Sequence, residues 1–341
     1  MNRSRLLRTL GGFLIAAFFV FLAFRGISFK SLLHDALQAN FFILVITVTV
    51  VLFSHFLRAL RWRVILKEIK SEVSLIDAWG SIMVGYLLNN FVPRLGELVR
   101  AYTTGKLEKT TVSGVFGTIV LERLFDMLSA GILFGVALAT YNAEIVKAFP
   151  ILRWGGIFLI ACSLAMGAVL YAAATMKTAN DLLMKFIAFV VPKRFSKKVG
   201  EIVGSFLSPF SILHSPKSLV SVTFYTALIW VVYIFTIYIP FFAFKTMSSL
   251  TFYDSFIITM ITSIAWTLPS PGGLGVYHLL VSQALIRFFA VSPDEALAFA
   301  TLTHLFGYVA ITIVGTVFAF IFTQRLKIHS VRKLLEDEEK K

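Results

Sequence analysis

Long apolar segments separated by short polar loops run along most of the chain. Six of them are continuous, at about residues 9–25, 40–57, 112–140, 153–175, 219–244 and 296–323. Each is close to the length of about 20 residues that a helix needs to cross a bilayer. Two further apolar segments, 75–92 and 252–290, are interrupted by proline, glycine and polar residues. The pattern predicts an all-α polytopic membrane protein with about six to eight transmembrane helices and two broken or re-entrant segments.

Basic residues predict the orientation of these spans, because loops rich in lysine and arginine stay in the cytoplasm. Basic clusters lie at 3–8 before the first span, at 58–70 after the second and at 325–333 after the last. The loop 141–152 carries few charges. We therefore expect a multi-pass protein of the cytoplasmic membrane, with a retained first span, an external loop at 141–152 and both termini in the cytoplasm.

The charges that flank the two interrupted segments do not fit a single crossing of the membrane by each segment. Basic residues lie on both sides of 75–105, so this segment is predicted to dip into the membrane from the cytoplasm and return. The segment 252–290 then begins and ends outside, as a second re-entrant hairpin or as a pair of full spans. The interruptions, at Pro93 to Gly96 and at Pro271 to Gly275, are alike in sequence. Broken segments in corresponding halves suggest an inverted repeat with a binding site at its interface.

The longest polar section, 176–218, contains apolar residues at helical spacing. It predicts two basic amphipathic helices, which lie on the inner leaflet or pack on the protein itself. We expect residues 1–325 to form a single integral membrane domain that includes this cytoplasmic section. Residues 326–341 are predicted to form a charged cytoplasmic tail.

Composition narrows the possible partners. Hydrophobic residues make up 58% of the chain and charged residues 15%, whereas soluble proteins carry roughly 25% charged residues. The net charge of +14 is explained by basic loops, so nucleic acid is not expected as a partner. Lipids with anionic head groups are favoured instead. The single cysteine, Cys162, excludes an intrachain disulfide.

Ionisable residues within the apolar segments are the candidates for function, because charges at membrane depth are costly and usually face a partner or a wet cavity. If Pro93 opens a helix, Arg94, Glu97 and Arg100 share one face. The next helix carries a second set of charges. The predicted polar network consists of Glu97, Glu122, Arg123 and Asp126. These residues either form an internal ion network only or also line a cavity.

Helices that begin after Pro93 and after Gly275 would present free N–H groups and a positive dipole end, which bind phosphate. The predicted substrate-binding residues, for a lipid phosphate, are Asn90, Arg94, Arg100, Gly272, Gly273, Gly275 and His278. Arginine pairs with phosphate through two hydrogen bonds, and glycine allows close backbone approach. No catalytic residue, metal site or cofactor is predicted.

Three motifs resemble a known family: NNFVPRLGELVRAY, LERLFD and PSPGGLGV. They are similar to the membrane domain of lysylphosphatidylglycerol synthases, and the resemblance covers roughly 10–325. It implies a flippase-like membrane unit, here as a stand-alone member without the soluble aminoacyl-transferase domain. The family commonly has a glutamate soon after the last glycine, where this chain has Tyr277 and His278. The head group is therefore expected to differ from an aminoacylated one.

The pattern and the resemblance together predict a lipid flippase or transporter for a phosphate-bearing lipid, either a phospholipid or a polyprenyl-phosphate-linked lipid. Two alternatives remain open. One is an integral membrane transferase that acts on a lipid-linked substrate. The other is a non-catalytic partner subunit of a lipid-modifying enzyme. The sequence specifies no oligomeric state.

Overall fold

The computed structural model describes residues 14, 17–26, 28–140, 150–266, 268 and 270–338, and no strand occurs among them. The predicted first span and the predicted external loop lie partly outside these residues. The helices are α1 (17–24), α2 (Phe29–Gln38), α3 (Phe41–Leu66), α4 (Leu75–Asn89), α5 (Leu95–Leu107), α6 (Val112–Thr140), α7 (Pro150–Thr175), α8 (Lys177–Val190), α9 (Lys193–Leu207), α10 (Pro216–Phe241), α11 (Phe252–Ala265), α12 (Val276–Phe289) and α13 (Pro293–Glu338). The prediction of an all-α polytopic protein is confirmed.

Three helices in the described part of the chain are long and apolar enough to cross a membrane: α3, α10 and Pro293–Lys327 of α13. A fourth crossing results if α7 and α8 count as one bent span, because these helices meet at an angle of 91°. The helix α6 is 29 residues long and carries charges near its middle. The hairpin helices α4, α5, α11 and α12 have only 13 to 15 residues each, too short for a full crossing.

The order of elements in the first half recurs in the second. A long helix, a hairpin of two short helices and another long helix follow each other as α3, α4–α5 and α6, and again as α10, α11–α12 and α13. Each set contributes most of one of two large buried apolar clusters. The hairpin helix α4 packs on α13 of the other half, and α11 packs on α6.

The two leading helices of these halves, α3 and α10, run antiparallel. The Asn40 N–H at the start of α3 donates to the Ala243 carbonyl just beyond the end of α10, at 2.9 Å. Near the other end of the pair, Arg61 Nη1 donates to Thr226 Oγ1 at 3.1 Å. Equivalent helices that run in opposite directions are what an inverted repeat requires.

The first hairpin is held by small residues and one amide. A side chain at Gly96 would overlap the Gly85 carbonyl oxygen, so α4 and α5 approach closely here. The Asn89 side chain accepts the Gly96 N–H at 2.7 Å and closes the connection. The prediction that Pro93 opens the helix is wrong, because Pro93 lies in the turn and α5 begins at Leu95. Arg94 stands ahead of α5 with φ of 63°, off the helical face of Glu97 and Arg100.

The second hairpin turns through glycines in left-handed conformations. Gly272, Gly273 and Gly275 have φ values of 54°, 76° and 78°, which other residues adopt only at a cost. The ring of Trp266 packs against Gly273, where an added Cβ would lie 2.8 Å from it. Here a run of glycines, rather than an asparagine side chain, makes the reversal between α11 and α12.

The two predicted amphipathic helices are present as α8 and α9, and they differ in how they are covered. The Leu182 and Phe189 side chains of α8 are 71% and 88% exposed, as expected of a helix that lies in a membrane interface. In contrast, α9 packs on α6, where a side chain at Gly117 would overlap the Phe206 carbonyl oxygen. Packing on the protein therefore describes α9, whereas a position of α8 on the inner leaflet stays a prediction.

Candidate functional site

The carboxylate of Glu122 is the centre of a buried ionic network. It is fully buried near the middle of α6 and accepts hydrogen bonds from three arginines. Arg58 and Arg61 of α3 lie 2.6 and 3.1 Å from Oε1, and Arg100 of α5 lies 2.7 Å from Oε2. A charge buried in an apolar protein requires this degree of pairing to be tolerated. Glu122 thereby joins α3, α5 and α6 at one point.

A second carboxylate, Asp126, extends the network along α6. Arg61 Nη1 lies 2.6 Å from Asp126 Oδ1, and Arg58 lies 3.5 Å from Oδ2. Arg123 lies 3.9 Å from Asp126 and donates to Glu97 of α5 at 3.2 Å. The four residues predicted to form a polar network, Glu97, Glu122, Arg123 and Asp126, are therefore brought together, and Arg100 joins them. The network holds four guanidinium groups and three carboxylates, an excess of one positive charge.

Aromatic and hydroxyl groups surround the network. The guanidinium of Arg100 stacks 3.6 Å from the centre of the Trp62 ring. Trp62 is itself oriented by its Nε1–H, which donates to Thr118 Oγ1 at 2.9 Å. Arg58 donates to the hydroxyl of Tyr86 and approaches that of Tyr233 at 3.5 Å. These contacts fix the direction in which each arginine points, because a planar guanidinium stacks and bonds in a defined geometry.

Arg58 and Arg61 are the functional candidates that sequence reasoning missed. The sequence pattern places them in a basic loop after a span that ends near residue 57, but α3 continues to Leu66 and buries both side chains. The physical reason is their pairing with Glu122 and Asp126. A signal was present, because the two arginines are three residues apart on one helix face, and the two acids are four apart on another.

The interruptions of the two hairpins meet at α13. An added Cβ on Gly272 would lie 3.0 Å from Asn90 Oδ1, so the two turns touch. Asn90 Nδ2 donates to Thr312 Oγ1 at 3.1 Å, and the Tyr308 hydroxyl donates to the Asn90 carbonyl at 3.4 Å. His304 Nε2 lies 2.8 Å from the Gly272 carbonyl oxygen and donates to it. Both hairpin turns are thus hydrogen-bonded to one face of α13.

His278 lies beside this junction. Its ring is 4.9 Å from the ring of His304, in a T-shaped arrangement. Within the described residues, its Nδ1 is buried without a hydrogen-bond partner, and so is the hydroxyl of Ser270 at the start of the glycine turn. Buried polar atoms without a partner are uncommon, and they are candidates for contact with a bound molecule.

The predicted substrate residues therefore fall into two groups. Five of them lie at the hairpin junction: Asn90, Gly272, Gly273, Gly275 and His278. Arg100 lies in the ionic network, and Arg94 is exposed at the first turn. The helix α4 connects the two groups, since Tyr86 contacts Arg58 one turn before Asn90. Among the described residues, no three acidic, histidine or cysteine side chains are close enough to hold a metal ion.

The family described as lysylphosphatidylglycerol synthase TM region matches residues 9–315. The chain belongs to this family. Both hairpins, the ionic network and the junction at α13 lie within the matched range. The hydroxyl group of Tyr277, two residues after Gly275, lies 3.2 Å from that of Thr303.

Three relatives are similar over most of the chain. A UPF0104 membrane protein of Methanothermobacter thermautotrophicus is 26% identical over 277 residues, which cover 75% of this chain and 78% of the relative. A UPF0104 membrane protein of Methanocaldococcus jannaschii is 23% identical over 301 residues and 84% of each chain. Glycosyltransferase AglD of Haloferax volcanii is 25% identical over 295 residues, 76% of this chain but only 46% of that protein. No solved structure matches the chain significantly.

Proposed function

We propose that the protein moves a phosphate-bearing lipid, a phospholipid or a polyprenyl-phosphate-linked lipid, across the cytoplasmic membrane. The observation that carries this proposal is the excess of one guanidinium over the carboxylates of the network, whose fourth guanidinium belongs to the partly exposed Arg123. An uncompensated cation in an apolar protein favours a bound anion. A lipid phosphate supplies that anion from within the membrane.

In this proposal the two groups of residues hold different parts of the lipid head group. Arg123, with its side chain 41% exposed, and Arg94 receive the phosphate, while Arg100 stabilises its charge from the buried side. Glu97, Glu122 and Asp126 keep the arginines oriented. Asn90, the glycines of the second turn and His278 contact the rest of the head group. Arginine suits this role because its fork of donors matches phosphate oxygens.

Movement of the two halves against each other would expose the site to either side of the membrane. The recurrence of a long helix, a hairpin and a long helix, with α3 and α10 antiparallel, supports this mode of transport. The basic residues near both ends of the chain support an orientation with both termini in the cytoplasm.

A transport assay in liposomes tests the proposal. The purified protein is reconstituted with a fluorescent phosphatidylglycerol, and a membrane-impermeant quencher reports how much of the label reaches the outer leaflet. We expect transport by the wild type, a large loss for Arg123→Gln, which removes the excess charge, and partial recovery for Arg123→Lys. Arg287→Gln is the matched control, because Arg287 is exposed on α12. No transport by folded wild-type protein, or equal rates for Arg123→Gln and wild type, would count against the proposal.

The similarity to a protein named glycosyltransferase AglD supports a second candidate. In it, this chain acts on a lipid-linked glycan, either as a transferase or as the membrane partner of a lipid-modifying enzyme. Mass spectrometry of the lipids before and after incubation separates the two candidates. Transport leaves the mass of the lipid unchanged, whereas transfer of a group alters it.

A further inference from the structure

A groove on the outside of α5 contains no part of the proposed phosphate site. It encloses about 560 Å³ between α5, α6 and α9. Leu98 and Ala101 line it from α5, Val112 and Phe116 from α6, and Ile202 from α9. Ser113 is its one polar lining residue. The volume falls within the range of about 300–1,000 Å³ that is usual for sites that bind small molecules.

The walls of the groove are firmly packed, so its shape belongs to the fold. The backbone of α9 touches α6 at Gly117, where any side chain would overlap the Phe206 carbonyl oxygen. A turn away, an added Cβ on Gly114 would lie 3.3 Å from the Ser205 carbonyl. The rings of Phe116 and Phe206 have their centres 6.1 Å apart. Two glycines on one face of α6 thus allow the backbone of α9 to pack closely on α6, and the groove lies beside this contact.

The mouth of the groove is apolar and open. Leu98 and Ile202 are 57% and 47% exposed, so hydrocarbon outside the protein has access to the lining. The neighbouring helix α8 bears exposed Leu182 and Phe189, which suit the same environment. In a membrane, lipid chains are the apolar material that reaches such a mouth.

Positive charge borders the same mouth. The exposed Lys198 lies one helical turn before Ile202, and the exposed Lys109 lies three residues before Val112. Two further exposed cations on α9, Arg194 and Lys197, outnumber its acidic residue Glu201. An apolar groove with a basic edge is complementary to a lipid that has a hydrocarbon chain and an anionic head.

We propose that this groove binds one hydrocarbon chain of an anionic membrane lipid, whose phosphate lies on Lys198 and Lys109. The site is separate from the proposed transport site and does not depend on it. A lipid bound there would contact both α9 and α5. It would therefore influence the position of the first hairpin without itself being transported.

Photo-crosslinking tests this site without any transport measurement. The full chain is reconstituted in liposomes with a trace of phosphatidylglycerol that carries a diazirine in its acyl chain, then irradiated, digested and analysed by mass spectrometry. We expect labelled peptides from α9 and from the start of α6. Val203→Trp and Ser113→Leu, which fill the groove, should each lower this labelling about tenfold, a difference of about 1.4 kcal/mol in binding.

Leu182→Trp is the matched control, because it places the same tryptophan side chain on the exposed face of α8 and should leave the labelling unchanged. Lys198→Glu with Lys109→Glu should abolish the preference for labelled phosphatidylglycerol over labelled phosphatidylcholine. All variants are first compared with wild type by size-exclusion elution. Undiminished labelling in both filled variants, or no preference between the two lipids in wild type, would each overturn the proposal.

Discussion

Arg100 on the first hairpin and Glu122 on α6 form a buried ion pair, with 2.7 Å between Nη2 and Oε2. The same carboxylate accepts from Arg58 and Arg61 of α3. One acidic residue thus links the first hairpin to both long helices of its own half. Because these contacts are shielded from water, movement of the hairpin away from α6 would cost about 3–5 kcal/mol unless another anion replaced Glu122 as the partner of Arg100. A lipid phosphate that competes for Arg100 would have that effect.

Replacement of Glu122 by glutamine should be strongly destabilising. Three buried guanidinium groups would lose their shared counterion, and breaking a buried ion pair costs about 3–5 kcal/mol. We expect a clear fall in the melting temperature measured by size-exclusion after heating. Glu97→Gln is the matched control, since Glu97 is partly exposed and its pair with Arg123 is worth about 1 kcal/mol or less. Equal melting temperatures for the two variants would contradict the central position of Glu122.

Arg61→Lys should lower stability although it preserves the charge. Arg61 uses one nitrogen for Asp126 and another for Glu122, at 2.6 and 3.1 Å, and the first also bonds Thr226. The single ammonium of lysine does not reproduce this fork, so buried acceptors would lose partners at about 1–3 kcal/mol. Thermal unfolding in detergent measures the effect. Arg287→Lys on the exposed surface should change nothing, and a neutral result for Arg61→Lys would mean that charge alone matters.

Gly96→Ala should force the first hairpin apart. Its methyl group would overlap the Gly85 carbonyl, and overpacking of this kind costs about 1–3 kcal/mol. Gly204→Ala provides the comparison, because an added Cβ there meets nothing within 4 Å and alanine favours the helix by up to about 1 kcal/mol. We expect Gly96→Ala to lower the melting temperature and Gly204→Ala to raise it. The same sign for both variants would argue against the close approach of α4 and α5.

Gly272→Ala should disturb the junction of the two hairpins. The position has φ of 54°, and the new Cβ would lie 2.8 Å from the Tyr308 ring and 3.0 Å from Asn90. Gly26 also has a positive φ, but its surroundings are open, so Gly26→Ala isolates the backbone strain of about 1–2 kcal/mol. In the liposome assay, we expect Gly272→Ala to lower transport more than Gly26→Ala. Equal rates would show that contact between the turns is unimportant for transport.

Most of the polar network is predictable from the sequence, because charged residues within apolar helices are costly and therefore few. Glu122, Arg123 and Asp126 lie on one helix, and their helical spacing predicts their shared surroundings. Sequence reasoning also predicted the interruption at Pro271 to Gly275, since proline and glycine break an apolar helix, but the positive φ values of these glycines come from the structure. It failed at Pro93, because the residue type permits both a helix start and a turn, and the Asn89–Gly96 hydrogen bond decides between them.

The sequence alone determined that the chain is a helical membrane protein, where its apolar segments break and that Glu122, Arg123 and Asp126 place charge within one of them. These properties follow from composition and periodicity, which are local. The tertiary structure decided that Arg58 and Arg61 belong to the interior, since only packing of α3 on α6 brings them to Glu122. It also decided that the two turns touch at Asn90 and Gly272, which are far apart in the chain. The contact between the turns arises from docking of the two halves, whereas the ion pairs arise from packing within the first half, so no single segment encodes either.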